Sequence, residues 1–246
     1  MRRALLGLLV AIPMVTADVH AETHGIVFTS ALKLDGDSNA NGGIYFMRAD
    51  GTRPRKLTNF QTVNFAFRLH GLDLPDDHAS CSADGKKIYF SSSRTGEPGI
   101  FAPNESQIFA MNPNGSGLLQ LTSVAGRNIV PTLSPDGSKI AFASERNGGV
   151  LHIFLMNPDG SNVEQLTFGQ DPDSEPAWSP DSSRIAFTRI PFSPLGLGFT
   201  QKDVWIVDRN GANLRRLTDT LGEDHDPVFS PDGTRIAYRL NNSWDE

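Results

Sequence analysis

The sequence predicts an all-β fold, a β-propeller of four-stranded antiparallel blades, with about five units of which the first and last are incomplete. Two observations predict it. The first is a repeated corner. Ser134-Pro135-Asp136-Gly137 before Ile140-Ala141-Phe142 recurs as Ser179-Pro180-Asp181 before Ile185-Ala186-Phe187 and as Ser230-Pro231-Asp232-Gly233 before Ile236-Ala237-Tyr238. A weaker copy is Ser82-Ala83-Asp84-Gly85 before Ile88-Tyr89-Phe90. Asp84, Asp136, Asp181 and Asp232 are spaced by 52, 45 and 51 residues, the size of one blade plus variable loops. The second is a further punctuation in each unit, Asp-Gly or Asn-Gly between apolar runs, which signals a hairpin.

Each element of the unit follows from local chemistry. Ser, Pro and Gly at the first, second and fourth places compose a type I turn. Proline presets φ, Ser or Asp bonds back to the backbone, and Gly takes the positive φ that re-enters a strand. The flanks Pro176-Ala177-Trp178 and Ile185-Ala186-Phe187 make this turn the link between a first and a second strand. Third strands, such as Ile153-Phe154-Leu155-Met156 and Val204-Trp205-Ile206-Val207, precede the second punctuation. That punctuation lies at Asp50-Gly51, Asn114-Gly115, Asp159-Gly160 and Asn210-Gly211, and fourth strands end in Leu-Thr at Leu57-Thr58, Leu121-Thr122, Leu166-Thr167 and Leu217-Thr218.

Residues 1–21 read as an export signal, with Arg2 and Arg3 before an apolar run from Ala4 to Ile12 and a small-residue cleavage site ending at Ala21 or Ala17. The run is too short to span a bilayer, so no transmembrane anchor is expected after cleavage. The expected location is periplasmic or secreted. Cleavage after Ala21 removes Arg2, Arg3 and Asp18 and takes the net charge from −6 to −7, a sign that argues against a nucleic-acid partner. Cys81 is the only cysteine, which excludes an intrachain disulfide and a thiolate metal cluster. It aligns with Leu133, Trp178 and Phe229 and is expected to be a buried apolar residue.

Residues 22–246 form one propeller domain with units at 25–58, 79–122, 131–167, 176–218 and 227–246. The first unit lacks an opening strand, and the last supplies two strands. Ile26–Phe28 and Ile236–Tyr238 are then both second strands, which points to a gapped ring. Asn242 to Glu246 resembles the lead-in to another third strand, so a shortened product of a longer propeller is expected, with an open edge as an aggregation liability.

The repeat Pro-x-Trp-Ser-Pro-Asp-Gly-x-x-Ile-Ala-Phe, followed by an apolar strand, Asp-Gly and Leu-Thr, resembles the TolB-type propeller repeat over residues 25 to 240. Ala83 in place of Pro and Ser182 in place of Gly depart from it. The TolB family places a separate α/β domain before a six-bladed propeller, and Tol–Pal partners engage the two parts. This sequence passes from signal to repeats without such a domain, so the resemblance implies a TolB-like propeller and not the complete role.

The first-to-second and third-to-fourth turns are short in every unit, whereas the second-to-third connections are long at 31–43, 94–107 and 189–203, though short at 145–152, and the inter-unit connections vary, with 59–78 the longest. In a meander both long classes emerge on one face, which is where a rigid scaffold carries binding residues. Asp77, His78, Asp173, Glu175, Asp224, His225 and Asp226 lead into first strands on that face, and Phe101 and Phe199 lie in its long loops. First strands are innermost, so the acidic groups are expected at the channel mouth. No resident cofactor is required. Glu175, Asp226 and His225 are the candidate ligands for a divalent cation, calcium or manganese. The sequence has no Gly-x-Ser-x-Gly elbow, no His-Glu-x-x-His and no phosphate loop. Binding of a protein or peptide partner, without catalysis, is therefore the expected role. The alternative is a metal-dependent polysaccharide lyase or hydrolase remnant of the pectin type, a class in which related repeats occur.

Overall fold

The structure, a computed structural model, describes residues 12–13, 25–30, 43–58, 76–94, 105–191, 201–220 and 222–241. Every regular element among them is a strand. The chain divides into two compact units, Met1–Ser123 and Val124–Glu246.

The first unit holds two four-stranded antiparallel sheets. One is β1 (Ile12–Pro13), β2 (Gly25–Ser30), β3 (Gly43–Arg48) and β4 (Arg55–Lys56); the other is β5 (Asp76–Cys81), β6 (Ile88–Ser92), β7 (Gln107–Met111) and β8 (Leu119–Gln120). Strand β1 corrects the sequence reading, which gave the first sheet no opening strand. Its two residues fall in the segment read as an export signal and pair with β2, Ile12 opposite Val27 and Pro13 opposite Ile26. Val27, Ile44, Leu57, Ile88, Phe90, Phe109 and Met111 form the core of this unit, with Cys81 packed at its margin. Burial pushes the Cys81 thiol up to about 12, so it stays protonated and unreactive at neutral pH.

The second unit holds β9 (Asn128–Leu133), β10 (Ile140–Ser144), β11 (His152–Met156) and β12 (Glu164–Gln165), then β13 (Asp173–Trp178), β14 (Arg184–Arg189), β15 (Asp203–Asp208) and β16 (Arg215–Arg216), then the pair β17 (Glu223–Phe229) and β18 (Ile236–Asn241). First strands pack on first strands, with β13 between β9 and β17. In the two four-stranded sheets the second and third strands are covered on both faces and carry the core, which explains their continuous apolar runs. Trp178 is buried there, and its indole Nε1 donates to the Thr132 carbonyl of the preceding blade at 3.1 Å. Phe229, Leu133 and Cys81, expected to be buried beside it, are only partly covered.

Three side-chain devices recur at the corners and fourth strands of the sheets. At the first corner the serine hydroxyl donates to the aspartate two residues on, at 2.7 Å for Ser82, 2.5 Å for Ser134, 2.6 Å for Ser179 and 2.5 Å for Ser230. The same oxygen accepts the amide five residues ahead, from Lys87, Lys139, Arg184 and Arg235. At the second corner the Asp50, Asn114, Asp159 and Asn210 side chains accept the amide two residues on. Neither central turn residue has positive φ and the following glycine does, between 80° and 87°, so these are type I turns closed by glycine, not mirror-image turns; a second left-handed residue follows two positions on, at Arg53, Gly117, Asn162 and Asn213. At the fourth strand the leucine amide donates to the first aliphatic residue of the third strand, and the threonine hydroxyl accepts that residue's own amide, as in Thr167 to Ile153 at 2.9 Å. A two-residue strand is held by this clamp.

Ser182 replaces glycine at φ 60°, a left-handed position. Its buried hydroxyl accepts the Asp136 amide of the preceding blade at 3.0 Å, so the side chain that strains the turn also links two blades. Ser182→Ala keeps the strain and orphans that amide. It is expected to lower stability by about 1–2 kcal/mol. Ser182→Gly also loses the bond but relieves about 1 kcal/mol of strain, and should lie closer to wild type. Urea unfolding of the two variants gives the comparison.

Candidate functional site

Each first strand of the second unit carries a buried polar residue at its first or second position and then breaks its register. The shift falls opposite Ala141/Ala143 in β9, between Ser174 and Ala177 in β13 and between His225 and Val228 in β17. At each shift one residue is left-handed: Val130 at φ 54°, Glu175 at 55° and Asp226 at 54°. In the first unit β5 does the same at His78, φ 50°. A β-branched residue such as Val130 in this region is a genuine outlier, so the geometry is imposed by the blade and not by the residue. Sequence reasoning missed this position. The available signal was Pro131, Pro176 and Pro227, which follow it directly, because proline inside a strand is confined to a sheet edge or a bulge.

The bulge sorts the predicted acidic residues into two groups. Asp173 and Asp224 lie beneath the surface and are fully buried. Asp173 is spent on Arg189, with Nε at 2.6 Å and a second guanidinium nitrogen at 2.9 Å, and His152 Nδ1 stands 3.5 Å away. Arg189 is sandwiched over Phe187 and Trp205, 5.5 and 4.7 Å from the ring centroids. The same device recurs as Arg146 on Asn128, over Phe142 and Phe154, and as Arg94 on Asp76, over Phe90 and Phe109. Asp224 lacks it, because Leu240 stands opposite where Arg189 faces Asp173. Asp224 accepts Thr220 Oγ1 at 2.9 Å through one oxygen, and its other oxygen is buried without a hydrogen bond. Its neighbour Asp203 also has a buried oxygen without a hydrogen bond. Burial raises Asp203 above the ordinary carboxylate range, Arg216 opposes that shift and Asp224 adds to it.

Glu175, His225 and Asp226 form the second group, and the structure brings them together. One ligand atom from each lies within 4.8 Å of the others. Glu175 Oε2 accepts Thr188 Oγ1 at 2.6 Å and the Asp226 amide at 3.0 Å, which ties the two blades at the site. His225 Nδ1 stands 3.3 Å from Asp226 Oδ2 and 3.9 Å from Glu175 Oε2, and its Nε2 meets Asn241 Nδ2 at 3.1 Å. Arg239 approaches Asp226 at 3.8 Å. Glu175 and Asp226 are partly exposed and His225 is nearly buried, so the carboxylates face outward over a fixed imidazole. Two oxygens and one nitrogen suit a divalent cation or a lysine or arginine head group.

His78 is exposed at the equivalent place in the first unit. The Asp77 backbone pairs with Ser91, and its side chain lies outside the described residues, as do Phe101 and Phe199.

The two groups respond differently to substitution. Asp173→Ala strands the buried Arg189 guanidinium and is expected to cost about 3–5 kcal/mol in urea unfolding. Glu175→Gln keeps an oxygen acceptor and should cost less than about 1 kcal/mol.

The TolB beta propeller domain pattern matches residues 102–193. A Protein TolB homolog of Chlorobium luteolum is 33% identical over 164 residues, which is 65% of this chain and 35% of the relative. The chain spans about a third of the length of the curated relatives that it matches. TolB from Acinetobacter baumannii superposes with a TM-score of 0.66 at 24% identity, over 89% of this chain and 46% of that one. An oligogalacturonate lyase in complex with manganese shares the fold at 12% identity and a TM-score of 0.53, over 90% of this chain and 69% of that one. With the repeated Ser-Pro-Asp corners and Leu-Thr clamps, these matches support a TolB-like β-propeller for this chain.

Proposed function

We propose that the chain is an exported binding scaffold of the cell envelope, periplasmic or secreted, which holds a protein or peptide partner at the acidic ends of its first strands. The observation that carries this reading is the convergence of Glu175, His225 and Asp226 from adjacent blades on two left-handed residues. The trio aims two carboxylates outward from a rigid sheet, and one basic side chain of a partner would complete their charge. No nucleic acid fits an acidic site on a chain with a net charge of −6.

A second reading has one observation in its favour. The same three ligand atoms, within 4.8 Å of one another, would hold calcium or manganese, and water would complete the coordination. Such a centre would support the polysaccharide lyase or hydrolase alternative.

Calorimetric titration separates the two readings. An arginine- and lysine-containing peptide is expected to bind the full chain, with affinity falling about 10- to 100-fold in Glu175→Gln and Asp226→Asn, while the circular-dichroism spectrum is retained. Stoichiometric Mn²⁺ uptake lost in the same variants, together with breakdown of a polyuronide, would support the enzyme instead. Peptide affinity unchanged in both variants would remove the trio from the site.

A further inference from the structure

Two neighbouring junctions between sheets of the second unit share one backbone frame and differ in charge. At the first, the Asp173 amide donates to the Leu151 carbonyl at 2.8 Å; at the second, the Asp224 amide donates to the Lys202 carbonyl at 2.8 Å. His152 at the head of β11 therefore corresponds to Asp203 at the head of β15, and Asp173 corresponds to Asp224. Arg189, which faces Asp173, corresponds to Leu240, which faces Asp224. Where the first junction sets a histidine and an arginine around one buried carboxylate, the second sets another carboxylate and a leucine. Lys202 and Glu223 form a parallel bridge, so Asp203 and Asp224 follow side by side on their two strands.

Loss of the cationic partners leaves the second junction unbalanced. Asp203 is 1% exposed and Asp224 0%. Asp203 Oδ2 and Asp224 Oδ1 are each buried without a hydrogen bond, whereas both oxygens of Asp173 are bonded to Arg189. A carboxylate oxygen removed from water without a donor or a counter-charge is costly. The basic groups nearby are engaged elsewhere. Arg216 is shared between Asp203 Oδ1 at 2.7 Å and Asp219 at 2.6 Å, and Lys202 Nζ lies 3.1 Å from Glu223. Arg189 pairs with Asp203 in backbone register, but its guanidinium is on Asp173. Residues 192–200, 221 and 242–246 contain no lysine, arginine or histidine, so these stretches have no counter-charge to offer.

We infer that Asp203 and Asp224 form a buried site for one calcium ion, held between β15 and β17 by Asp203 Oδ2 and Asp224 Oδ1. Oxygen donors of this kind select a hard cation over zinc or copper, and backbone carbonyls and water would complete the coordination. The ion does for this junction what the Arg189 guanidinium does for the one before it. Glu175, His225 and Asp226 supply none of the donors, although Asp224 directly precedes His225 in the chain.

Calcium chloride titrated into the chelator-treated full chain, followed by calorimetry and thermal unfolding, is the test. One ion is expected to bind through this pair, and the melting temperature to rise by roughly 5 °C at calcium about a hundred times its dissociation constant. The rise should persist in Glu175→Gln and disappear in Asp203→Asn and Asp224→Asn. Leu240→Arg sets a guanidinium opposite Asp224, as Arg189 stands opposite Asp173. It should raise the melting temperature without calcium and weaken calcium binding at least about tenfold. Three outcomes would overturn the proposal: no calcium-dependent rise in the wild-type chain, a rise that Glu175→Gln abolishes and Asp203→Asn keeps, or calcium binding as tight in Leu240→Arg as in wild type. The wild-type and Leu240→Arg measurements decide the matter even if the asparagine variants do not fold.

Discussion

The serine–aspartate corner is the interaction on which the rest of the fold depends. A four-stranded meander must reverse twice within a few residues at the same end, and each reversal leaves backbone amides that neither strand can satisfy. The serine hydroxyl meets both needs, since it donates to the aspartate and accepts the amide that starts the second strand. The aspartate in turn accepts the amide and hydroxyl of the residue two further on, Ser183 in the third copy. With the corner made rigid, variation in length is confined to the opposite end. There the second-to-third connections and the first-strand lead-ins carry the unusual chemistry.

At that opposite end the blade is pinned from inside. A buried Asp or Asn at the head of the first strand holds an arginine, and the arginine lies over the aromatic pair formed by the second and third strands. The pin fixes where the first strand begins, and the bulge just beyond it forces one residue into the left-handed region. In the second unit that residue is valine, glutamate and aspartate in turn. The valine shows that the backbone dictates the strain, and the two acids show what the position can present. Asp224, with leucine in place of the arginine opposite it, and Asp203 on β15 each keep one buried carboxyl oxygen without a hydrogen bond, a local electrostatic cost that the neighbouring Asp173 pin does not carry.

The repeat, its strand order and the burial of Trp178 were legible because they rest on local chemistry: turn residues, alternation and the Leu-Thr ending. The trio Glu175, His225 and Asp226 was legible as a set because acidic residues gather ahead of first strands. Its separation from Asp173 and Asp224 was not. By strict alternation Asp173 and Glu175 share a face of their strand, but the left-handed residue breaks the alternation, so that Asp173 points inward and Glu175 outward. The prolines that follow the bulge were visible and carried that information. Phe229 is only partly covered, in contrast to its equivalent Trp178, because its sheet has two strands among the described residues. Strand β1 rests on two residues whose sequence reads as part of a leader, and no strand pattern announces it.

The central claim is that the serine hydroxyl holds the corner by bonding the aspartate in its charged form. The Ser179 hydroxyl first, then the Ser183 hydroxyl and amide, hold Asp181 at about 2, and the Ser230 hydroxyl first, then Thr234, hold Asp232 at about 2. A carboxylate whose pKa is depressed by folding stabilises the native state above its unfolded value of roughly 3.9, and this contribution is lost as pH falls toward 2. Carboxyl ¹³C shifts of the folded chain, titrated from pH 5 downward, test this directly. The account predicts midpoints near 2 for Asp181 and Asp232, with Ser179→Ala moving Asp181 alone back toward the ordinary range. Midpoints near 3.8 for both aspartates in the folded wild-type chain would contradict it.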